Sequence, residues 1–387
     1  MKTIYKIAAV LIVVLVVSTA GFVAYNGTLT NSGTNTQKST ITVTDMENRT
    51  VTLNVPVERV VITSSSYTEE FAEVYGDGFA DLIVGWDNEF ETLSGDILAK
   101  YIEMYPQLAD MPDVGSLSDD TFSAEKAIAL KPDVIFLQSW DYVFYETATK
   151  NAVTRLEQAG IPVIFLDYWV EPMTNSPKSM SLLGEIFGKQ ERAQQIVDFY
   201  NEQINLVYSR LANVTGPKPT VYVEGAWVTP PEYGGSYGDV SHGAIIKLAR
   251  GDNIAEPLLG TTGAKALSAE YVISQNPDIV IFTGRNWSTP STVRLGYATT
   301  IDVARSTISG FVERPGWDTL NAVKNHQVYA VHHGYVFSIK NFAILQAFAT
   351  WFYPAEFQDI DPNAVLAEYF ERFSPIPFAG TFICSYY

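Results

Sequence analysis

Cysteine is nearly absent from this chain: its 387 residues contain one, Cys384, close to the C-terminus. An internal disulfide is therefore excluded, a cysteine metal cluster is excluded, and no cysteine follows the N-terminal apolar run to receive a lipid. Positive charge is scarce as well. Asp and Glu number 43 against 25 Lys and Arg, a formal charge of -18, so a polyanion is repelled from most of the surface and nucleic acid is excluded as a partner. Charged residues reach only 18% beside 47% hydrophobic ones, a balance that excludes a disordered chain. The four histidines, His242, His326, His332 and His333, all fall in the second half, and none belongs to a His-Glu-x-x-His motif. A bare metal ion held by imidazoles from both sides of a cleft is disfavoured on that count, and no metal ligands are assigned.

What is present begins with Lys2 and Lys6, followed by an apolar run from Ile7 to Tyr25 interrupted only by Ser18, Thr19 and Gly21. As a helix this run reaches ~28 Å, close to the hydrocarbon thickness of a bilayer. Residues 1–25 are thus expected to be a membrane anchor, or a signal segment processed near Ser18-Thr19-Ala20. The positive charge on its amino side places the rest of the chain outside the cell. Residues 26–40 are Asn, Gly, Thr, Ser and Gln with almost nothing to bury, and read as a flexible tether.

The folded part is organised around a repeat. Ser123-Ala-Glu-Lys-Ala-Ile-Ala-Leu-Lys-Pro-Asp-Val-Ile-Phe136 returns as Ser268-Ala-Glu-Tyr-Val-Ile-Ser-Gln-Asn-Pro-Asp-Ile-Val-Ile281. Each copy predicts a Ser-capped short helix, a turn at Pro-Asp and a buried parallel strand. Two such units imply two α/β lobes with a cleft between them. Apolar residues at three-and-four spacing from Ile196 to Leu211 predict a long helix joining the lobes, preceded by a break at Gly188-Lys189. The expected division is an N-terminal lobe over 41–174, an interlobe helix over 175–215 and a C-terminal lobe over 216–387.

Seven segments in order carry a family resemblance: Thr63 to Tyr75, Leu82-Ile-Val-Gly85, Pro112-Asp-Val-Gly115, Glu125 through Lys131-Pro-Asp133, Ala159-Gly-Ile-Pro-Val163, Leu248-Ala-Arg-Gly-Asp-Asn-Ile-Ala255 and Glu270 through Asn276-Pro-Asp278. They resemble the iron-siderophore and vitamin-B12 class of ABC-importer substrate-binding proteins, the helical-linker class. The resemblance implies two Rossmann-like lobes, each a parallel sheet flanked by helices, joined by one long helix. It implies a non-enzymatic monomer without a cofactor that captures a metal chelate outside the membrane. The first expected cargo is an iron-siderophore complex, the next a corrinoid or haem. A permease with its own ATPase is the implied partner, consistent with the absence of a G-x-x-x-x-G-K-[ST] loop here. The family's docking glutamates correspond to Glu125 and Glu270.

Loops leaving the carboxyl ends of the strands should line the cleft, and they are rich in aromatic residues that offer contact area at little rotamer cost. The candidate ligand-binding residues are Tyr67, Trp86, Trp140, Tyr142, Trp227, Tyr237, Trp287 and Tyr335, with Arg285 for an anionic oxygen and His332 for the chelate or its metal. Adjacent residues at a strand end point oppositely, so only one of His332 and His333 is expected to reach the cleft. Gly234-Gly-Ser-Tyr-Gly238 matches a G-x-S-x-G nucleophile elbow, which leaves a membrane-anchored serine hydrolase using Ser236 as an alternative. Pro230 and Pro231 stand where that elbow needs a central strand, and the glycines read instead as a mobile cleft loop. A solute-sensing receptor subunit is a further alternative.

Overall fold

The β-branched runs of the sequence assemble into two main sheets, beside two short two-stranded ones. The structure, a computed structural model, describes residues 39–387 apart from Thr262, Ser288 and Pro290; the expected anchor at 1–25 and nearly all of the tether lie outside the described residues. An antiparallel hairpin of β1 (Ser39–Thr44) and β2 (Thr50–Val55) turns at Asn48, whose φ of 57° suits Asn. The first sheet contains β3 (Val60–Ile62), β4 (Ile83–Trp86), β5 (Val134–Gln138) and β6 (Val163–Leu166), in spatial order β4-β3-β5-β6 and parallel throughout. The second lobe has β7 (Thr220–Gly225), β8 (Gly235–Ser236), β9 (Asp252–Asn253), β10 (Lys265–Ala266), β11 (Ile279–Gly284), β12 (Val328–His332) and β13 (Ile383–Ser385). Its five-stranded sheet runs β13-β12-β11-β7-β9, with only β13 antiparallel, and β8 pairs separately with β10. Nearly every residue of β3, β5, β6, β7 and β11 is buried, as expected of parallel strands covered on both faces.

The two repeats are equivalent pieces of the two lobes. Ser123 Oγ accepts the Lys126 N–H at 3.2 Å and Ser268 Oγ accepts the Tyr271 N–H at 3.2 Å, capping helices Ala124–Ala129 and Ala269–Gln275. The aspartates that follow do matching work. Asp133 Oδ2 accepts the backbone N–H groups of Glu58 and Arg59 at 2.9 and 3.0 Å, just before β3. Asp278 Oδ2 accepts the Thr220 N–H and hydroxyl at 3.0 and 2.8 Å, at the start of β7. Each Pro-Asp turn therefore pins the beginning of the neighbouring strand in its sheet.

Helix Pro172–Phe187 ends at Gly188, whose φ of 66° is left-handed, and helix Gln190–Leu211 follows as the connection. The two pack so closely that a Cβ on Gly184 would lie 2.4 Å from Ala193 Cβ. The connecting helix buries Ile196, Phe199, Tyr200, Gln203, Ile204, Val207 and Leu211. It shares one apolar core with β3 and β5 on one side and with helices Asn341–Phe352 and Pro362–Phe373 on the other. Smaller cores cover the outer faces of the two sheets. Helix Glu89–Met104 is kinked at Ser94, whose φ of -143° is not helical. Helix Ile301–Val312, capped by Thr300, and the edge strand β13 had no counterpart in the sequence reading.

Candidate functional site

The loops that leave β3, β4, β5 and β6 face those that leave β11 and β12 across a cavity of about 310 Å³. From the first lobe come Ser64, Ser66 and Tyr67 after β3, Asn88 and Glu89 after β4, Trp140 after β5 and Trp169 after β6. From the second come Arg285 after β11 and His332, Gly334, Tyr335 and Phe337 at the end of β12. These contributors sit at or just beyond the carboxyl ends of the strands, which is where open α/β sheets leave room for a ligand.

The aromatic wall has structure of its own. Trp140 packs edge-on against Trp169 with ring centres 3.7 Å apart, and Trp169 stacks on Phe337 of the other lobe at 5.6 Å with planes 12° apart. That stack bridges the two lobes at the margin of the cavity. Tyr67 stands edge-on to Tyr168 at 4.8 Å.

Several polar groups in the wall are buried and have no hydrogen-bond partner: both ring nitrogens of His332, the Tyr335 hydroxyl and Arg285 Nε. His332 and Tyr335 are 1% and 2% exposed, and their rings lie 4.6 Å apart. Burial, helped by the positive charges of Arg285 and Lys340, pushes the His332 imidazole down to about 3, so the ring is neutral. Arg285 lies over the Trp287 ring at 4.3 Å. Burial lowers it to about 10 against the opposing pull of Glu89 across the cavity. Glu89 accepts a 2.6 Å bond from Ser64 Oγ, yet burial holds its carboxyl above the ordinary range.

Beneath the cavity, helix Thr68–Tyr75 presents three glutamates to one lysine of the other lobe. Lys340 Nζ, fully buried, lies 2.7 Å from Glu73, 3.4 Å from Glu69 and 3.9 Å from Glu70. Tyr369 donates to Glu73 at 2.6 Å. One ammonium cannot neutralise three carboxylates. Burial, reinforced by Glu73 and Glu69, outweighs Lys340 and pushes Glu70 up to about 8. Glu69 and Glu70 both reach the cavity wall.

Of the ten residues singled out from sequence, Tyr67, Trp140, Arg285, His332 and Tyr335 line this cavity. The other five lie elsewhere. Trp86 is 7% exposed and packs on Phe90 at 6.1 Å, inside the first lobe. Tyr142 lies against Phe165 with Lys150 over its ring. Trp227, Tyr237 and Trp287 gather around His333, with ring centres at 5.5, 6.4 and 5.2 Å, within the second lobe. His333 bonds Thr283 Oγ1 at 2.8 Å, so of the adjacent pair it is His332 that faces the cavity. A strand end predicts the alternation of side chains but not which loop folds back over them.

Sequence reasoning missed Glu69, Glu70, Glu89, Phe337 and Lys340. The signal available was Glu69, Glu70 and Glu73 on one turn of an otherwise apolar helix, and a lone Lys340 at the head of an apolar run. Glu125 and Glu270 are exposed, each in the first turn of its Ser-capped helix, and Glu125 pairs with Arg155.

The serine-elbow geometry is absent. Ser236 is fully buried in the short strand β8 and donates to Val223 O at 2.7 Å. The flanking glycines are packed rather than mobile, correcting the expectation of a flexible cleft loop. A Cβ on Gly234 would lie 1.9 Å from Gly225 O, and one on Gly238 would lie 2.0 Å from Gly260 O.

Comparison with known proteins agrees with this architecture. A model of the periplasmic binding protein family matches residues 60–334. The solved structure of a TroA-like periplasmic binding protein, FepB, from Veillonella parvula is 35% identical with a TM-score of 0.84, covering 89% of this chain and 99% of that one. An uncharacterised ABC transporter substrate-binding lipoprotein, YvrC, from Bacillus subtilis is 23% identical over 293 residues, 75% of this chain and 78% of that protein. A cobalamin-binding protein of Halobacterium salinarum is 23% identical over 244 residues, 62% of this chain and 58% of its own length.

Proposed function

This chain belongs to the periplasmic binding protein family, and we propose that it captures a metal chelate between its lobes and hands it to an ABC permease. It is the extracytoplasmic substrate-binding component of an ABC importer and not an enzyme. The single observation that carries the chelate reading is the interlobe cavity, whose lining residues His332, Tyr335 and Arg285 each bear a buried polar atom without a hydrogen-bond partner. A buried polar group without a partner costs about 1–3 kcal/mol, so a ligand that supplies oxygen and nitrogen atoms to these three recovers that cost on binding. Trp140, Trp169, Tyr67 and Phe337 add flat apolar area for the organic part of the ligand.

The volume of about 310 Å³ stands at the lower end of the ~300–1,000 Å³ usual for ligand pockets. A compact iron chelate is therefore the first candidate. A corrinoid or haem requires the Trp169–Phe337 stack to part. In this reading residues 7–25 hold the protein, as a monomer, at the outer face of the cytoplasmic membrane, and Glu125 and Glu270 meet basic residues of the permease.

Ligand-induced stabilisation tests the reading directly. A chelate present at ~100 times its Kd adds about 2.7 kcal/mol to the folded state. The expected result is a raised melting temperature with one member of a panel of ferric chelates, corrinoids and haem, and a smaller rise for Trp140→Ala and His332→Ala. A panel without any shift refutes the chelate assignment.

A further inference from the structure

The charges around the cavity are distributed unevenly. Its wall takes the carboxyl groups of Glu69, Glu89 and Asp119 from the first lobe, beside a Glu70 that burial keeps protonated near neutral pH, and the single guanidinium of Arg285 from the second. Lys340 compensates only part of this excess, because its one ammonium is shared among Glu69, Glu70 and Glu73. Glu69 is 7% exposed, and its Oε2 has Lys340 Nζ at 3.4 Å. The histidine in the wall is uncharged, so it does not offset the acids. Burial holds the Glu69 and Glu89 carboxyls above their ordinary range, against the opposing pull of Lys340 on Glu69 and of Ser64 and Arg285 on Glu89. His332 and Tyr335, buried and unpartnered in the same wall, independently mark the space as one a ligand fills.

Resting on the chelate reading above, we propose that the cargo is a positively charged metal chelate, seated with its cationic face against Glu69 and Glu89. Its neutral or weakly anionic donor atoms face Arg285, His332 and Tyr335. Arg285 already has Glu89 opposite it, so it anchors one oxygen of a cation without attracting a polyanion. A tricatecholate, with several negative charges, would bring those charges up to the first lobe's carboxylates with one guanidinium to answer them. Specificity is a difference of affinities, and like charge at close range between protein walls is an effective way to reject the wrong ligand.

The test varies charge while holding the metal centre constant. The full-length protein is titrated by tryptophan fluorescence with ferrioxamine B, a monocation, with its neutral N-acetyl derivative and with its anionic N-succinyl derivative. A corrinoid pair, cationic aquocobalamin and neutral cyanocobalamin, is run in parallel. The expected order is cation, neutral, anion, with at least about tenfold between the ends of the series. Glu89→Gln, which leaves the Lys340 cluster untouched, should reduce that spread to about threefold or less. Equal affinity across a series, or an anion that binds best, overturns the charge inference and leaves the chelate reading standing. Absence of binding in both series overturns the two together. A spread that survives Glu89→Gln unchanged overturns the placement of the cation against Glu89.

Discussion

Lys340 and its three glutamates show how much one residue can decide. Removing two unlike charges from water is costly, and the pair recovers this only where the geometry is good. Here three carboxylates share one ammonium, so one of them, Glu70, is pushed up to about 8 from an ordinary 4.5. The folded state thus holds a proton that the unfolded chain has released. The stability this provides is complete below pH 4.5 and is lost as pH rises through about 8. His242 and His332, each pushed down to about 3 from 6.5, act in the opposite sense and take stability away as pH falls below 6.5. Asp141, raised to about 7, adds to the Glu70 effect up to that point. The melting temperature should therefore fall between pH 6.5 and 8, and Glu70→Gln should flatten the part of that fall above pH 7. A thermal scan at half-unit intervals measures it, and an unchanged slope in the variant would assign the effect to another group. The three glutamates on one helical turn were visible in the sequence, but their pairing with Lys340 was not, because Glu70 and Lys340 lie far apart in the chain and meet only when the lobes assemble.

At the scale of single elements, the repeat around residues 123–136 and 268–281 was legible in full as helix, turn and strand. A cap, a first-turn acid, a Pro-Asp stop and a β-branched run are all local signals. Replacing Ser123 or Ser268 with Ala should cost about 1 kcal/mol each, and the double variant about the sum, since the sites are in different lobes. Urea unfolding monitored by circular dichroism checks this. A double variant as stable as the parent would show that the caps contribute nothing. The local signals did not reveal what the aspartates are for. Asp133 and Asp278 bond the beginnings of β3 and β7, 74 or more and 58 residues away, and no local pattern names such a partner. Helix Ile301–Val312 and β13 were missed for a related reason: their burial is set by what packs over them. The Gly234–Gly238 loop was misread because glycine serves equally for mobility and for close approach, and only the neighbours at Gly225 and Gly260 tell the two apart.

For the whole molecule the question is how capture is coupled to delivery. Glu125 and Glu270 project from equivalent helices, one on each lobe, and both are exposed. If they are the permease contacts, Glu125→Ala with Glu270→Ala should abolish uptake in cells while chelate affinity of the isolated protein stays within about twofold. Uptake at the parental rate would remove the docking role, and loss of affinity would place these residues in the cleft instead. Sequence by itself determined the two α/β lobes, the helix between them, the duplicated unit and the aromatic character of the loops, because propensity, capping and periodicity act over a few neighbouring residues. Only the tertiary structure decided that Trp86, Tyr142, Trp227, Tyr237 and Trp287 pack away from the cavity while Glu69, Glu89 and Phe337 close on it and Lys340 is buried against Glu69. An aromatic or charged side chain satisfies the same local rules whether it faces a ligand or a neighbour. The choice is made by how two sheets, distant in the chain, are set against one another.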